Sequence, residues 1–220
     1  MSAALAQAVA IVPVKRFDRA KSRLAAVFAA HEREALMQTM LRDTLSTLSD
    51  VNDIRQTFVV TGDPVASDIA GEYGAAVVRD AEEAGTNAAI ARGLAALDRW
   101  TGPVLALPAD LPCLSATAVR QVLDALRTAP VVIAPAFDGG TAALGLQQAG
   151  VMATAFGCGS FERHLQAARR AGLRAAVVNL GLASRDLDTP QDFVELQGRA
   201  AGARTSRLLL ELQMSRRCSP

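Results

Sequence analysis

Residues 11–24 read I-V-P-V-K-R-F-D-R-A-K-S-R-L, and the order of residue types in that stretch is the strongest single clue to the fold class. Its apolar start belongs to a run from Ala8 to Val14. A short apolar run bounded by polar residues predicts a buried β-strand. Lys15, Arg16, Arg19, Lys21 and Arg23 then crowd into a loop, and a helical pattern comes next. The stretch reads as strand, basic loop and helix start. A strand that delivers cations to a helix N-terminus suits a phosphate chain, because the unpaired amides and the macrodipole favour negative charge there. The plain alternative is a solvated surface turn, and the stretch alone does not choose.

Beyond that stretch, strands and helices alternate. Glu32 to Leu48 carries Leu36, Met37, Met40, Leu41, Thr44, Leu45 and Leu48 at helical spacing. A β-branched strand over Thr57 to Val60 ends at the turn Thr61-Gly62-Asp63-Pro64. A helix over Val65 to Tyr73 stops at Gly74. Beyond a strand over Ala76 to Val78 come a polar loop over Asp80 to Thr86 and a helix over Asn87 to Trp100. A buried strand over Pro103 to Leu107 leads to P-A-D-L-P at 108–112, and Ser115 is placed as N-cap of a helix to Thr128. Further strands are expected over Val131 to Pro135, Ala142 to Leu146 and Ala175 to Leu180, with helices over Phe161 to Ala171 and Gln191 to Arg199. The alternation predicts an α/β fold, a mainly parallel sheet with helices on both faces. Residues 1–199 are expected to form one domain, and 200–220 a helical extension or a partly disordered tail.

Bulk properties narrow the function. The 220 residues are half apolar, enough for one α/β core of ordinary size. The net charge of +1 gives no global pull toward nucleic acid or an anionic membrane, so any anion site is local. Cys113, Cys158 and Cys218 match no metal spacing and read as reduced thiols. The start is too short and too weakly basic for a signal peptide, and no apolar run approaches the ~20 residues that span a bilayer. A soluble, cytoplasmic protein is the expectation.

In an open parallel sheet, ligands bind at the carboxyl ends of the strands. The residues just beyond each strand are therefore informative. The basic loop comes after the first. Asp110, between Pro108 and Pro112, comes after the fourth. Asp138-Gly139-Gly140-Thr141 lies beyond the strand ending at Pro135, and Asp186 and Asp188 lie beyond the last. Carboxylates gathered beside cations suit Mg²⁺, which takes one or two carboxylates and fills its shell with phosphate oxygens and water. The combination points to nucleotidyl or phosphoryl transfer. Each element also has a structural reading: Asp110 as a turn or cap, Asp138 as a hairpin turn, Asp188 as the N-cap of the last helix. His31 reads as solvated. His164 lacks the partners of a nucleophilic triad, and Cys158 has no adjacent base.

Six segments in order carry a resemblance: V-P-V-K with A-K-S-R-L at 20–24, G-T-N-A-A at 85–89, P-A-D-L-P, D-G-G-T at 138–141, F-G-C-G-S-F at 156–161 and D-L-D-T-P-Q-D-F at 186–193. Over about residues 8–198 the chain resembles the 2-phospho-L-lactate guanylyltransferase family. That resemblance implies a Rossmann-like three-layer sandwich of the nucleotide-diphospho-sugar transferase type. It also implies transfer of GMP from GTP to a phosphorylated three-carbon acid: 2-phospho-L-lactate, phosphoenolpyruvate or 3-phospho-D-glycerate. Pyrophosphate would leave, and the product would serve coenzyme F-420 biosynthesis. A homodimer is implied as well. Placed on this chain, the nucleotide would meet Val14, Lys15, Lys21, Arg23, Asn87, Pro108 and Asp110. Lys21, Arg23 and Asp110 would be catalytic, and Asp110 with Asp188 would hold Mg²⁺. Thr141, Gly157, Ser160 and Arg163 would take the acid. Two departures fall in the acceptor segments: Ala142 stands where the family often has Asn, and Cys158 replaces the usual proline. They leave the acid open. A relative acting on another base or acceptor, or an inactive nucleotide-binding module, are the competing readings. The first loop lacks the glycine-rich segment of molybdenum-cofactor nucleotidyltransferases, and retention of Lys21, Arg23, Asp110 and Asp188 argues against an inactive module.

Overall fold

A computed structural model describes residues 7–196, 198–199 and 202–217 of the chain. Seven strands form one sheet in the order β3-β2-β1-β4-β6-β5-β7. They are β1 (Ala8–Val14), β2 (Ile54–Thr61), β3 (Ala76–Arg79), β4 (Val104–Ala106), β5 (Val131–Pro135), β6 (Thr141–Leu146) and β7 (Ala175–Val177). Neighbours are parallel except at β6, which runs antiparallel to both β4 and β5. The mainly parallel α/β fold is as the alternation implied.

The period of two along each strand sorts the core into two layers. In β1, Ala8, Ala10, Val12 and Val14 face one layer, while Val9 and Ile11 face the other. The first layer is covered by α1 (Ala30–Ser49), α2 (Pro64–Glu72), α4 (Ala116–Ala125), α6 (Pro190–Leu196) and α7 (Ala203–Arg217). The second is covered by α3 (Thr86–Ala95) and α5 (Ser160–Arg170). The apolar stripe read from the sequence of α1 is buried throughout. Ser115 caps α4 as expected, its hydroxyl accepting from the Ala118 amide.

Two expectations are corrected. No α-helix begins directly after the basic loop: residues 17–19 and 22–26 form two short 3₁₀ turns, and α1 starts only at Ala30. The chain between Lys15 and Ala29 is instead pinned by the buried Phe17, Leu24 and Phe28. The α3 helix ends at Ala95, not Trp100, where the indole turns back to donate to the Pro103 carbonyl. The tail is helical over Ala203–Arg217 and docks on α1 through buried Leu209 and Leu212. Its N-terminus is capped from α1: the Thr205 amide donates to Asp43 Oδ2 at 2.7 Å, and Arg204 pairs with Oδ1 at 3.2 Å. Cys218 and the first six residues lie outside the described residues. Cys158 is an exposed free thiol, and no described helix is long and apolar enough to cross a membrane.

Candidate active site

A cleft of about 340 Å³ opens over the carboxyl ends of β1 and β4. Its walls include Val14, Lys15, Lys21, Arg23, Pro108, Asp110 and Asp188. Most of the residues that the sequence assigned to nucleotide and metal therefore meet in one place. The loop that brings them is held from both ends. Phe17 N–H donates to Asp63 Oδ2 at 2.8 Å, while Asp63 Oδ1 caps α2 through the amides of Val65 and Ala66. Lys21 then takes a left-handed backbone, φ +56°, which is uncommon for a residue with a Cβ and concentrates at functional sites. That turn drives its side chain inward, to 4 % exposure.

The buried ammonium sits between two carboxylates. Lys21 Nζ is 2.6 Å from Asp110 Oδ2 and 3.3 Å from Asp188 Oδ1. Arg23, 73 % exposed, reaches Asp188 Oδ2 at 3.1 Å. Burial alone would lower the Lys21 pKa, but the charges of Asp110 and Asp188 outweigh it and hold it above the usual lysine value. In the free protein, then, the cations expected on phosphates lie on the acids expected to hold metal. The geometry also tests whether a metal fits. Oxygens from the end of β4 and from the segment after β7 converge on a single positive centre. They are hard donors, few in number and open to the cleft, as Mg²⁺ bound alongside phosphate requires. Asp110 and Asp188 are the residues that could hold it. Among the described residues no group of three or more His, Cys, Asp or Glu side chains forms a cage.

Asp188 is not the cap of α6. The Thr189 hydroxyl accepts from the Asp192 amide, and the Asp192 carboxylate takes the amides of Asp188 and Thr189. This reciprocal cap leaves the Asp188 side chain to Lys21 and Arg23. Asp186, noted in the sequence only as lying beyond the last strand, also belongs to this acidic group. Burial first, then the charges of Asp110, Asp138 and Asp188, push its pKa up to about 6. The signal was present: Asp186 and Asp188 flank the fully buried Leu187, and both acids are half-buried beside the cleft.

The helix N-terminus at the cleft belongs to α3. Gly85, with φ +102°, and Thr86 line the wall there. Glu83 faces the basic loop across the mouth, 3.2 Å from the Arg19 guanidinium.

The acceptor candidates lie differently from expectation. Thr141 and Ser160 are buried and bonded to each other, Ser160 Oγ to Thr141 Oγ1 at 3.0 Å. His164 completes the group. Its Nε2 accepts the Ala155 amide at 2.8 Å, so the proton resides on Nδ1 and points to Thr141 Oγ1 at 2.9 Å. Burial, reinforced by Arg163, lowers the His164 pKa to about 4 and keeps the ring neutral. Arg163 donates to the carbonyls of Ala155 and Cys158. Gly157 is exposed at φ +122°. These side chains shape the 155–160 loop rather than present charge to the cleft. Asn87 is likewise absent from the cleft wall; its amide is committed to the backbone of Phe156. Ala142 is buried in the core, and Asp138 makes the hairpin turn, accepting from Gly140 N–H.

The family described as guanylyl transferase CofC like matches residues 8–219, the docked α7 included. A 3-phospho-D-glycerate guanylyltransferase from Phenylobacterium zucineum is 40% identical, over 94% of this chain and 97% of its own length. A phosphoenolpyruvate guanylyltransferase from Rubrobacter xylanophilus is 39% identical, over 86% of this chain and 92% of its own. A 2-phospho-L-lactate guanylyltransferase from Methanothermobacter thermautotrophicus is 31% identical, over 94% and 91%. Among solved structures, a protein from Desulfovibrio desulfuricans, provisionally assigned to the nucleotide-diphospho-sugar transferases, superposes with a TM-score of 0.75 at 18% identity, covering 97% of this chain and 98% of that one. A 4-diphosphocytidyl-2C-methyl-D-erythritol synthase from Anaerococcus prevotii gives 0.62 at 15% identity, covering 92% and 95%. These two likenesses concern the fold alone.

Proposed function

Because the chain belongs to the guanylyl transferase CofC-like family, we propose that it transfers GMP from GTP to a phosphorylated three-carbon acid with release of pyrophosphate. The observation that carries this reading is the placement of Lys21 between Asp110 and Asp188 at the floor of the cleft.

The charges dictate the chemistry. Lys15, Lys21 and Arg23 bring three cations to one end of the cleft, where they neutralise the triphosphate and the departing pyrophosphate. Asp110 and Asp188 would hold Mg²⁺, which supplies further charge neutralisation at the phosphate oxygens. A phosphate oxygen of the acid forms the new bond to the α-phosphorus of GTP. The bond from that phosphorus to the bridging oxygen breaks, and its electron pair leaves with pyrophosphate. The attacking phosphate is already ionised, so no protein nucleophile or strong base is needed. The protein's contribution is alignment and preorganised charge. The acceptor half is the loop over residues 155–160 and the β5–β6 hairpin. Its ligand is one of the three acids for which the relatives are named. In this reading the product is the activated acid of coenzyme F-420 biosynthesis, the enzyme works in the cytoplasm, and a homodimer is its assembly.

Pyrophosphate release tests the reading, with GTP and each of the three acids, with and without Mg²⁺, and ATP and CTP as controls. One acid with GTP should dominate, and chelation should stop it. Failure with all three acids would overturn the acceptor, turnover with CTP but not GTP would overturn the base, and full activity after chelation would overturn the metal.

A further inference from the structure

We propose that Asn87 is a positioning residue that couples the nucleotide half of the site to the acceptor half; this rests on the reaction proposed above. Asn87 is the second residue of α3 and directly succeeds Gly85 and Thr86, which line the cleft. Its side chain leaves that wall. Nδ2 donates to the Phe156 carbonyl at 2.9 Å, and Oδ1 accepts the Phe156 amide at 2.7 Å. An in-plane pair of this kind imitates a strand-to-strand pairing at a residue that belongs to no strand. Both main-chain groups of Phe156 thus depend on one side chain.

Phe156 is suited to carry the link. Its ring packs against the α3 cluster and the α5 cluster alike, and it meets the buried His164 ring edge-on at 5.0 Å. His164 holds the preceding residue, Ala155, and reaches Thr141 at the start of β6. Next in the loop are Gly157, at φ +122°, and Gly159, at φ +65°. Neither glycine brings a side chain to pack. The loop is held by the Phe156 ring and the Ser160–Thr141 bond, and its backbone over residues 155–158 by Asn87, His164 and Arg163. A displacement of the α3 N-terminus toward a bound triphosphate therefore moves Phe156 and the 155–160 loop with it. By linkage, the acid reports back to the nucleotide through the same residue.

Two measurements test this, one of them independent of turnover. Hydrogen exchange of the 155–160 amides is measured with and without GTP, in the absence of acid, alongside GTP affinity by calorimetry. In the parent protein GTP should slow that exchange about 5-fold or more, the low end of ordinary site-to-site coupling. In Asn87→Ala the GTP effect should vanish, and the KM for the acid should rise about 10-fold while GTP affinity changes less than about 2-fold. Asn87→Asp keeps the acceptor for the Phe156 amide and loses the donor, so it should give an intermediate result. It also serves if the alanine variant does not fold. A loss of GTP affinity with an unchanged acid KM would make Asn87 a nucleotide contact and overturn the proposal. So would a loop whose exchange ignores GTP in the parent. If the parent binds GTP but turns over none of the acids, the reaction fails while the exchange data still decide the coupling.

Discussion

Lys21 Nζ lies 2.6 Å from Asp110 Oδ2, although 89 residues separate them in the chain. The contact joins the loop after β1 to the loop after β4, and in the free protein it pairs two groups to which the proposed reaction gives opposite tasks. Asp110→Asn should lower turnover by at least ~10²-fold, the scale of losing one electrostatic stabiliser. Circular dichroism should show the fold retained, because Asp188 still pairs with Lys21. Unfolding would mean that Asp110 serves the turn instead.

Asp192 caps α6 and leaves Asp188 to the cleft, so the proposed function and the capping can be tested separately within one short segment. Asp192→Ala removes the acceptor for the amides of Asp188 and Thr189 and should cost about 1 kcal/mol, a typical cap. Asp188→Asn should leave stability nearly unchanged and lower turnover as Asp110→Asn does. Urea unfolding and pyrophosphate release on the pair would show the reverse pattern if Asp188 were the cap.

His164 makes acid stability predictable in sign. Its pKa is about 4 in the folded chain against 6.5 as the ordinary value. The unfolded chain therefore binds more protons between those limits, and stability falls as pH drops from about 6.5 to 4. The full effect is at most about 3 kcal/mol. Above pH 6.5 the ring is neutral in both states and contributes no slope. His164→Asn should be less stable at every pH, yet show a shallower loss between pH 7 and pH 4.5 in urea titrations. An unchanged slope would mean that folding does not shift the pKa of the ring.

The docked α7 should matter to stability and not to chemistry. Asp43→Ala removes the carboxylate that receives the Thr205 amide and pairs with Arg204, and should cost about 1–2 kcal/mol. Gly202→Ala should act in the same direction, since a Cβ there would collide with the Asp43 carboxylate. Thermal melts should fall for both, with pyrophosphate release unchanged. A large loss of activity would tie α7 to the cleft.

The sequence disclosed what rests on periodicity and on local order. The stripe from Leu36 to Leu48 and the bounds of β5 could be read directly, because apolar spacing and turn residues determine them. The gathering of Lys21, Asp110 and Asp188 could be read because a parallel sheet places every strand end on one edge. What stayed hidden depends on torsion and tertiary partners. No local signal marks the left-handed Lys21 or the pair of 3₁₀ turns around it. Asn87 sits in the segment expected at the nucleotide, and only the position of Phe156, 69 residues away, turns its amide elsewhere. Ser160 and Thr141 carry the residue types of an acid site, yet burial joins them to each other.

The reversed strand β6 has an evolutionary consequence. All other neighbours in the sheet run in parallel, so each needs a helix to return the chain, and changing one disturbs a layer of the core. The β5–β6 pair closes by a short turn at residues 136–140 on the edge that carries the site. That turn touches a helix mainly through the Phe161 amide on the Gly139 carbonyl, so it can change with less repacking than a helical crossover would need. In the proposed reaction the parallel strands would carry the half that grips the nucleotide, and the reversed hairpin the half where a change of acid disturbs the fold least.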